Sequence, residues 1–212
     1  AFAPDGSLWL GAADATVCRF DVAEGRCADF FRPESNNGAG MAPGLLTSLA
    51  VDGSGNVYYT TEGSGYALYD GDAWRTFAVR RPGLLGNRVR ALAADAAGDL
   101  WAATDAGVQR LSGGEASSAS PNLFVADDVG IPAADVRVLY PGPSDGMWVG
   151  GAGGASFFDG SGWQMLTPGD GLTGSTVQAI TVDGEGRTWF GTDQGISIWN
   201  GSSFFTIDKE RG

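Results

Sequence analysis

A single motif returns five times along the chain: GSLWLGAAD from Gly6, GNVYYTTEG from Gly55, GDLWAATDAG from Gly98, GMWVGGAGG from Gly146 and GRTWFGTDQG from Gly186. Its aromatic anchors are Trp9, Tyr58, Trp101, Trp148 and Trp189, spaced 49, 43, 47 and 41 residues apart. A period of about 40 to 50 residues, with four short strands in each, is the mark of a β-propeller. The fifth repeat divides cleanly into VQAITVD, RTWFGTD, GISIWN and SFFTID. The junctions hold Gly, Asp, Asn or Ser, as turns with φ > 0 or side-chain-to-backbone bonds require. No segment sustains a 3.6-residue period, so almost no helix is expected. The expected fold is therefore all-β: a β-propeller of five four-stranded antiparallel blades, either closed or part of a larger ring. The blades fall at about residues 1–46, 47–89, 90–136, 137–177 and 178–212. A lone four-stranded sheet cannot bury both faces, whereas stacked blades bury each other's. The five aromatic anchors are accordingly expected as wedges between blades. The competing reading, a stacking ladder for sugar or base rings, is less natural for a residue placed once per blade at mid-strand.

Composition narrows the function. Asp plus Glu number 25 against 13 Lys plus Arg, a net charge of −12, which opposes phosphate backbones and anionic lipid surfaces. No nucleic-acid partner is expected, and no membrane contact by this segment, because no apolar run approaches the length needed to span a bilayer. The chain contains no histidine. That removes Ser-His-Asp and Cys-His catalysis, histidine metal sites and the usual near-neutral proton shuttle. No catalytic residues, no metal site and no cofactor are expected.

Each first strand is preceded by a second element, as in PGLLGNRVRALAAD from Pro82 and DGLTGSTVQAITVD from Asp170. Joined to the aromatic strand it reads Gly-Leu, then Val-x-Ala-Ile-x-x-Asp-x-x-Gly-x-x-Trp-x-Gly-Thr-x-x-Gly. This resembles the two-component regulator propeller repeat of bacterial extracytoplasmic sensor proteins. The resemblance spans the whole chain and is strongest in repeats 3 and 5. Repeat 1 has Ala3 in place of the Asp, repeat 2 has Tyr58 in place of Trp, and repeat 4 lacks the Asp and has one residue fewer before Trp148. Repeat 1, with APDGSLWLG and CRFD, also resembles the streptogramin lyases, but those enzymes rely on a histidine. The resemblance implies a non-enzymatic sensory or recognition module. A structural or assembly subunit of a cell-surface complex is the alternative, and a lyase-like enzyme a more distant third. Ala1 falls late in the first strand of repeat 1, and Gly212 stops where another linker would begin. This suggests an excerpt of a longer chain, with a closed five-bladed ring as the rival.

Three groups of residues are candidates for particular roles. Asp52, Asp95 and Asp183, each three residues before a Gly, fit turn caps better than calcium ligands, because no EF-hand ladder of carboxylates surrounds them. Cys18 and Cys27 would face one another across a hairpin turning near Val22-Ala23, close enough for a cross-strand disulfide. Two reduced cysteines are the alternative, and the family resemblance, which points outside the cytoplasm, favours the disulfide. Finally, Thr47, Arg90, Arg137 and Gln178 fall at one aligned position at the entry to the first strands, with Arg88 nearby. In a propeller these residues line the mouth of the central channel. Converging arginines there could hold a carboxylate or other anion, or pair with acidic loop residues such as Asp127 and Asp135. Expected partners are a protein or a small anionic or carbohydrate ligand. The loops at 33–43 and 113–121 are further candidates for partner contact.

Overall fold

In the computed structural model, residues 1–77, 88–105, 107–112, 122–124, 136–143 and 146–208 are described. They form nineteen strands in five antiparallel sheets, each a simple up-and-down meander, with only short 3-10 turns besides. The chain divides into two compact units, Ala1–Asp105 with Gln109–Leu123, and Ala106–Val108 with Phe124–Gly212. Among the described residues, no helix is long and apolar enough to cross a membrane.

Sheet one contains β1 (Leu8–Gly11), β2 (Val17–Asp21) and β3 (Arg26–Phe31), with a single bridge from Phe2 to Leu8 ahead of β1. It is thus three-stranded among the described residues, against the four expected. Sheet two contains β4 (Leu46–Val51), β5 (Val57–Thr61), β6 (Gly65–Tyr69) and β7 (Trp74–Phe77). Sheet three contains β8 (Val89–Ala94), β9 (Leu100–Thr104), β10 (Gly107–Leu111) and β11 (Asn122–Phe124). In the second unit, sheet four contains β12 (Val136–Pro141), β13 (Met147–Gly151), β14 (Gly154–Phe158) and β15 (Trp163–Leu166). Sheet five contains β16 (Val177–Val182), β17 (Thr188–Thr192), β18 (Gly195–Trp199) and β19 (Phe204–Asp208). The first strands of sheets two to five begin at Leu46, Val89, Val136 and Val177, and β1 begins at Leu8.

Side-chain alternation explains why the inner sheets carry apolar residues in succession rather than every second position. All five residues of β5 are buried. Val57 and Tyr59 point towards sheet one, where they meet Trp9, Val17 and Phe31, while Tyr58 points the other way into a cluster with Leu92, Leu100 and Ala102 of sheet three. In the second unit Trp148 packs edge-on to Phe190 at 5.1 Å between ring centres. Each such aromatic, taken out of water, contributes about 2–3 kcal/mol. Trp9, Tyr58, Trp101 and Trp148 are all at most 5% exposed. Trp189 is only half-buried, because its neighbour Phe190 takes the face turned to sheet four and alternation sends the indole to the opposite face.

The loop at 33–43 is anchored rather than free. Met41 and Ala42 enter the core between sheets one and two, Tyr59 donates its hydroxyl to the Ala42 carbonyl at 2.8 Å, and Thr76 donates to the Gly40 carbonyl at 2.6 Å. Gly40 lies so close to the Trp74 carbonyl that no Cβ would fit there. The loop at 113–121 lies outside the described residues, as do Asp127 and Asp135.

Cys18 and Cys27 are joined in a disulfide, with Cα atoms 5.8 Å apart. The register differs from the simple hairpin. Cys18 stands opposite Phe30, and Cys27 opposite Phe20, with a shift between Arg19 and Phe20. The bulge places an extra residue in β3, and the two cysteines meet diagonally across it instead of face to face.

Candidate functional site: the inner-strand bulges

The first strands β4, β8, β12 and β16 share one irregularity. Their register against the next strand shifts between Leu46 and Ser48, between Val89 and Ala91, between Val136 and Val138, and between Val177 and Ala179. The residues skipped are Thr47, Arg90, Arg137 and Gln178. A bulge sets two residues against one on the partner strand and so re-aims a side chain. All four of these side chains are exposed, whereas Val89, Val136 and Val177 beside them are at most 4% exposed. Four residues picked by alignment thus occupy one structural position, Thr47 and Arg90 in the first unit, Arg137 and Gln178 in the second.

Thr47 is tied to its surroundings. Its hydroxyl donates to the Val89 carbonyl at 3.1 Å and lies 2.9 Å from the Thr60 hydroxyl, while Leu92 N–H donates to the Ser48 hydroxyl at 3.0 Å. These bonds lace β4 to β8. Arg88, one residue ahead of β8, exchanges backbone bonds with Asp105: Asp105 N–H donates to the Arg88 carbonyl at 3.2 Å, and Arg88 N–H to Asp105 Oδ1 at 3.4 Å. Thr176 and Asp193 repeat that latch in sheet five, with both distances 3.1 Å. The Arg88 guanidinium pairs with Glu62 at 3.5 Å, both side chains more than half exposed. An ion pair this exposed adds at most about 1 kcal/mol and leaves the guanidinium fork open to an incoming anion.

The repeat carboxylates do more than cap turns. Asp52 Oδ1 accepts from the N–H groups of Ser54 and Asn56, both at 2.9 Å, and its Oδ2 accepts from the Tyr58 hydroxyl at 3.1 Å. Asp95 Oδ1 accepts from Asp99 N–H at 2.9 Å, and its Oδ2 from the Trp101 indole N–H at 2.8 Å and from Arg110 at 2.9 Å. Asp183 does the same with Arg187 N–H at 3.0 Å and the Trp189 indole N–H at 2.8 Å. Each carboxylate therefore holds the turn with one oxygen and hooks the aromatic six residues later with the other. The Gly that follows adopts φ of +87°, +84° and +78° in the three turns, the left-handed backbone that favours glycine. The Trp189 N–H first, and then Arg187, hold the Asp183 carboxyl well below the usual carboxylate range. Burial first, then the Asp52 charge, pushes the Tyr58 hydroxyl above its ordinary value. With their oxygens committed to these donors, the three carboxylates are structural. Among the described residues no group of acidic or sulfur ligands is arranged to hold a metal.

Repeat 4 departs from this scheme in a specific way. Gly142 N–H donates to the Gly146 carbonyl just as Asp52 N–H donates to Asn56, so the hairpin has not lost a residue. Gly142 stands in the carboxylate position, and the repeat glycine has moved by one. A Cβ at Gly142 or Gly146 would overlap the ring of Phe157, which lies 4.6 Å from the Trp148 ring centre to centre. An aromatic ring thus fills the carboxylate's place, and the buried Trp148 indole N–H has no partner among the described residues.

Comparison with known proteins agrees with this architecture. Residues 83–106 and 171–194 match the family described as two component regulator propeller. The extracellular domain assigned to a hybrid two component system of B. thetaiotaomicron superposes with a TM-score of 0.72 at 16% identity, over 98% of this chain and 29% of that one. One assigned to a one component system of the same organism gives 0.72 at 16% identity, over 98% and 30%. PorZ, a surface component of the type-IX secretion system of Porphyromonas gingivalis, gives 0.70 at 14% identity, over 99% and 33%. The chain thus spans about a third or less of each of these proteins. No curated protein sequence matches it. At these identities the likeness establishes the fold: the chain is a β-propeller, and its third and fifth repeats carry the two-component regulator propeller signature.

Proposed function

We propose that this chain is a non-enzymatic binding propeller, exposed on the outer side of a bacterial cell, that serves as part of a sensory module. The carrying observation is the repeated first-strand bulge, which exposes one polar or cationic side chain in each of sheets two to five, at Thr47, Arg90, Arg137 and Gln178. Rigid strands that present variable side chains at one recurrent position suit recognition, not bond-making. Arg88 and Arg90 in the first unit, and Arg137 in the second by itself, each favour carboxylate or other anionic groups, on a ligand or on an acidic patch of a protein partner. A disulfide, and relatives that are extracellular domains, support a location outside the cytoplasm. The absence of histidine throughout the chain and the structural use of the repeat carboxylates support a role without catalysis.

The test is a thermal-shift screen of small anions and oligosaccharides, followed by Arg90→Ala and Arg137→Ala. A compound that raises Tm in the wild type should lose that effect in at least one of the variants, each compared with its own ligand-free Tm. A compound whose effect survives both substitutions removes the bulges from the site. The alternative is an assembly subunit of a surface complex, favoured by the likeness to PorZ. The full reading frame separates the two: a membrane helix and kinase selects the sensor, and a sorting signal selects the assembly subunit.

A further inference from the structure

Repeat 1 retains two partners of a three-part cluster and has lost the third. In repeat 3, Asp95 receives the Trp101 indole N–H and one arm of Arg110, while Asp99 takes the Arg110 Nε at 2.9 Å, and the guanidinium lies 5.3 Å from the indole centre. One indole, one guanidinium and two carboxylates thus gather in one cluster, in which the Arg110 Nε faces Asp99 as an ion pair without hydrogen-bond geometry. In repeat 1, Trp9 stands opposite Arg19 in the β1–β2 ladder, so both donors are present. The residue six before Trp9 is Ala3, where repeats 2, 3 and 5 have Asp52, Asp95 and Asp183. Arg19 turns instead to Asp29 Oδ2, with its Nε at 2.8 Å. The Trp9 indole N–H, on a residue 5% exposed, and Arg19 Nη1 have no hydrogen-bond partner among the described residues.

In repeat 4 the equivalent gap is plugged by Phe157. In repeat 1 it is open: Ala3, Trp9, Arg19 and Asp29 line a cleft of about 530 Å³, whose walls continue through Pro4 and Tyr69. This volume lies within the range of small-molecule sites. We propose that this cleft binds a small organic acid, whose carboxylate takes the place of the missing repeat aspartate and accepts from the Trp9 indole N–H and the Arg19 guanidinium. Repeat 3 places two carboxylates about one guanidinium and one indole, so Asp29 and a ligand carboxylate have room to share Arg19. The apolar body of the acid would lie along Pro4 and Tyr69. Asp5, which also lines the cleft, opposes an anion, so affinity should rise when its charge is removed. The site is independent of the inner-strand bulges.

The experiment uses indole-¹⁵N-labelled protein. The seven tryptophans give seven indole N–H signals, and Trp9→Phe identifies the one from Trp9. Sodium acetate and sodium benzoate are titrated at constant ionic strength against sodium chloride. The Trp9 signal should shift saturably with either acid, benzoate acting at several-fold lower concentration, and not with chloride. Arg19→Gln should weaken binding by about tenfold or more, and Asp5→Asn should strengthen it. Ala3→Asp should supply the carboxylate internally, raise Tm and abolish the response. The proposal is overturned if the Trp9 signal stays fixed up to about 0.1 M acetate, where a millimolar site would be saturated. It is equally overturned if chloride shifts the signal as far, or if the response persists undiminished in Arg19→Gln or in a folded Ala3→Asp.

Discussion

Replacing Asp95 by Ala isolates the cost of unhooking a repeat. Asp95 is 2% exposed, and three donors converge on its carboxylate: Asp99 N–H, the Trp101 indole N–H and Arg110. The lost turn bond is worth about 1 kcal/mol, and a buried indole N–H left without an acceptor costs about 1–3 kcal/mol. Arg110, whose side chain is 19% exposed, keeps Asp99 but loses its buried partner, for roughly 1 kcal/mol more. The total is about 3–5 kcal/mol, the range seen when one member of a buried ion pair is removed. Urea denaturation followed by tryptophan fluorescence would read it as a fall in midpoint at unchanged slope. Asp95→Asn should recover only part of the loss, because its amide turns a donor towards two donors. Asp183→Ala should have a smaller effect, since that carboxylate is 23% exposed and Trp189 is half-buried. A loss below about 1 kcal/mol for Asp95→Ala, or an equal loss at Asp183, would refute the claim that the hook is a buried structural bond.

Three further outcomes follow from other contacts. The Asp183 carboxyl is held below its ordinary pKa by the Trp189 N–H and then Arg187, so its stabilisation is complete above the unfolded value and is lost as pH falls towards the folded one. The stability difference between wild type and Asp183→Asn should therefore be constant from about pH 5 to 8 and narrow below about pH 4; a change between about pH 6 and 8 would contradict the assignment. The Cys18–Cys27 bridge closes a short loop across the β2–β3 bulge, so Cys18→Ala/Cys27→Ala should cost about 3 kcal/mol or somewhat less. Thiol titration of the denatured, unreduced wild type should find no free thiols. Gly142→Asp should destabilise by about 1–3 kcal/mol through collision with Phe157, and Phe157→Leu should relieve part of that by letting the new carboxylate reach Trp148. Purely additive losses in this double-mutant cycle would show that the two positions do not share one space.

The sequence made the periodicity plain, because each sheet needs the same large wedge at the same strand position. Tyr58, Trp101 and Trp148 are buried where alternation puts them. The bulges carried no signal of their own: nothing in Thr-Ser, Arg-Ala, Arg-Val or Gln-Ala marks a register shift. Thr47, Arg90, Arg137 and Gln178 nonetheless line up in the sequence, because a position freed from the ladder tolerates polar side chains in these four copies. The same blindness misplaced the cysteine register. The bulge opposite Arg19 adds a residue to β3, which no count along a regular hairpin could include.

The carboxylate hook was half legible. The spacing of Asp before Gly announced the turn, but the bond to the aromatic needed the fold to bring Oδ2 to the indole. The repeats that depart from the motif show why it matters. Losing the carboxylate leaves an indole N–H without that acceptor and a hole, and each repeat meets that problem separately. Repeat 4 fills the hole with Phe157 and leaves the N–H orphaned. Repeat 1 substitutes Ala3, diverts Arg19 to Asp29 and leaves the hole open to solvent. A filled hole costs one hydrogen bond but keeps the core packed. An open one forfeits packing but leaves the indole N–H within reach of water or a ligand. That asymmetry makes repeat 1, and not repeat 4, the place for the proposed acid.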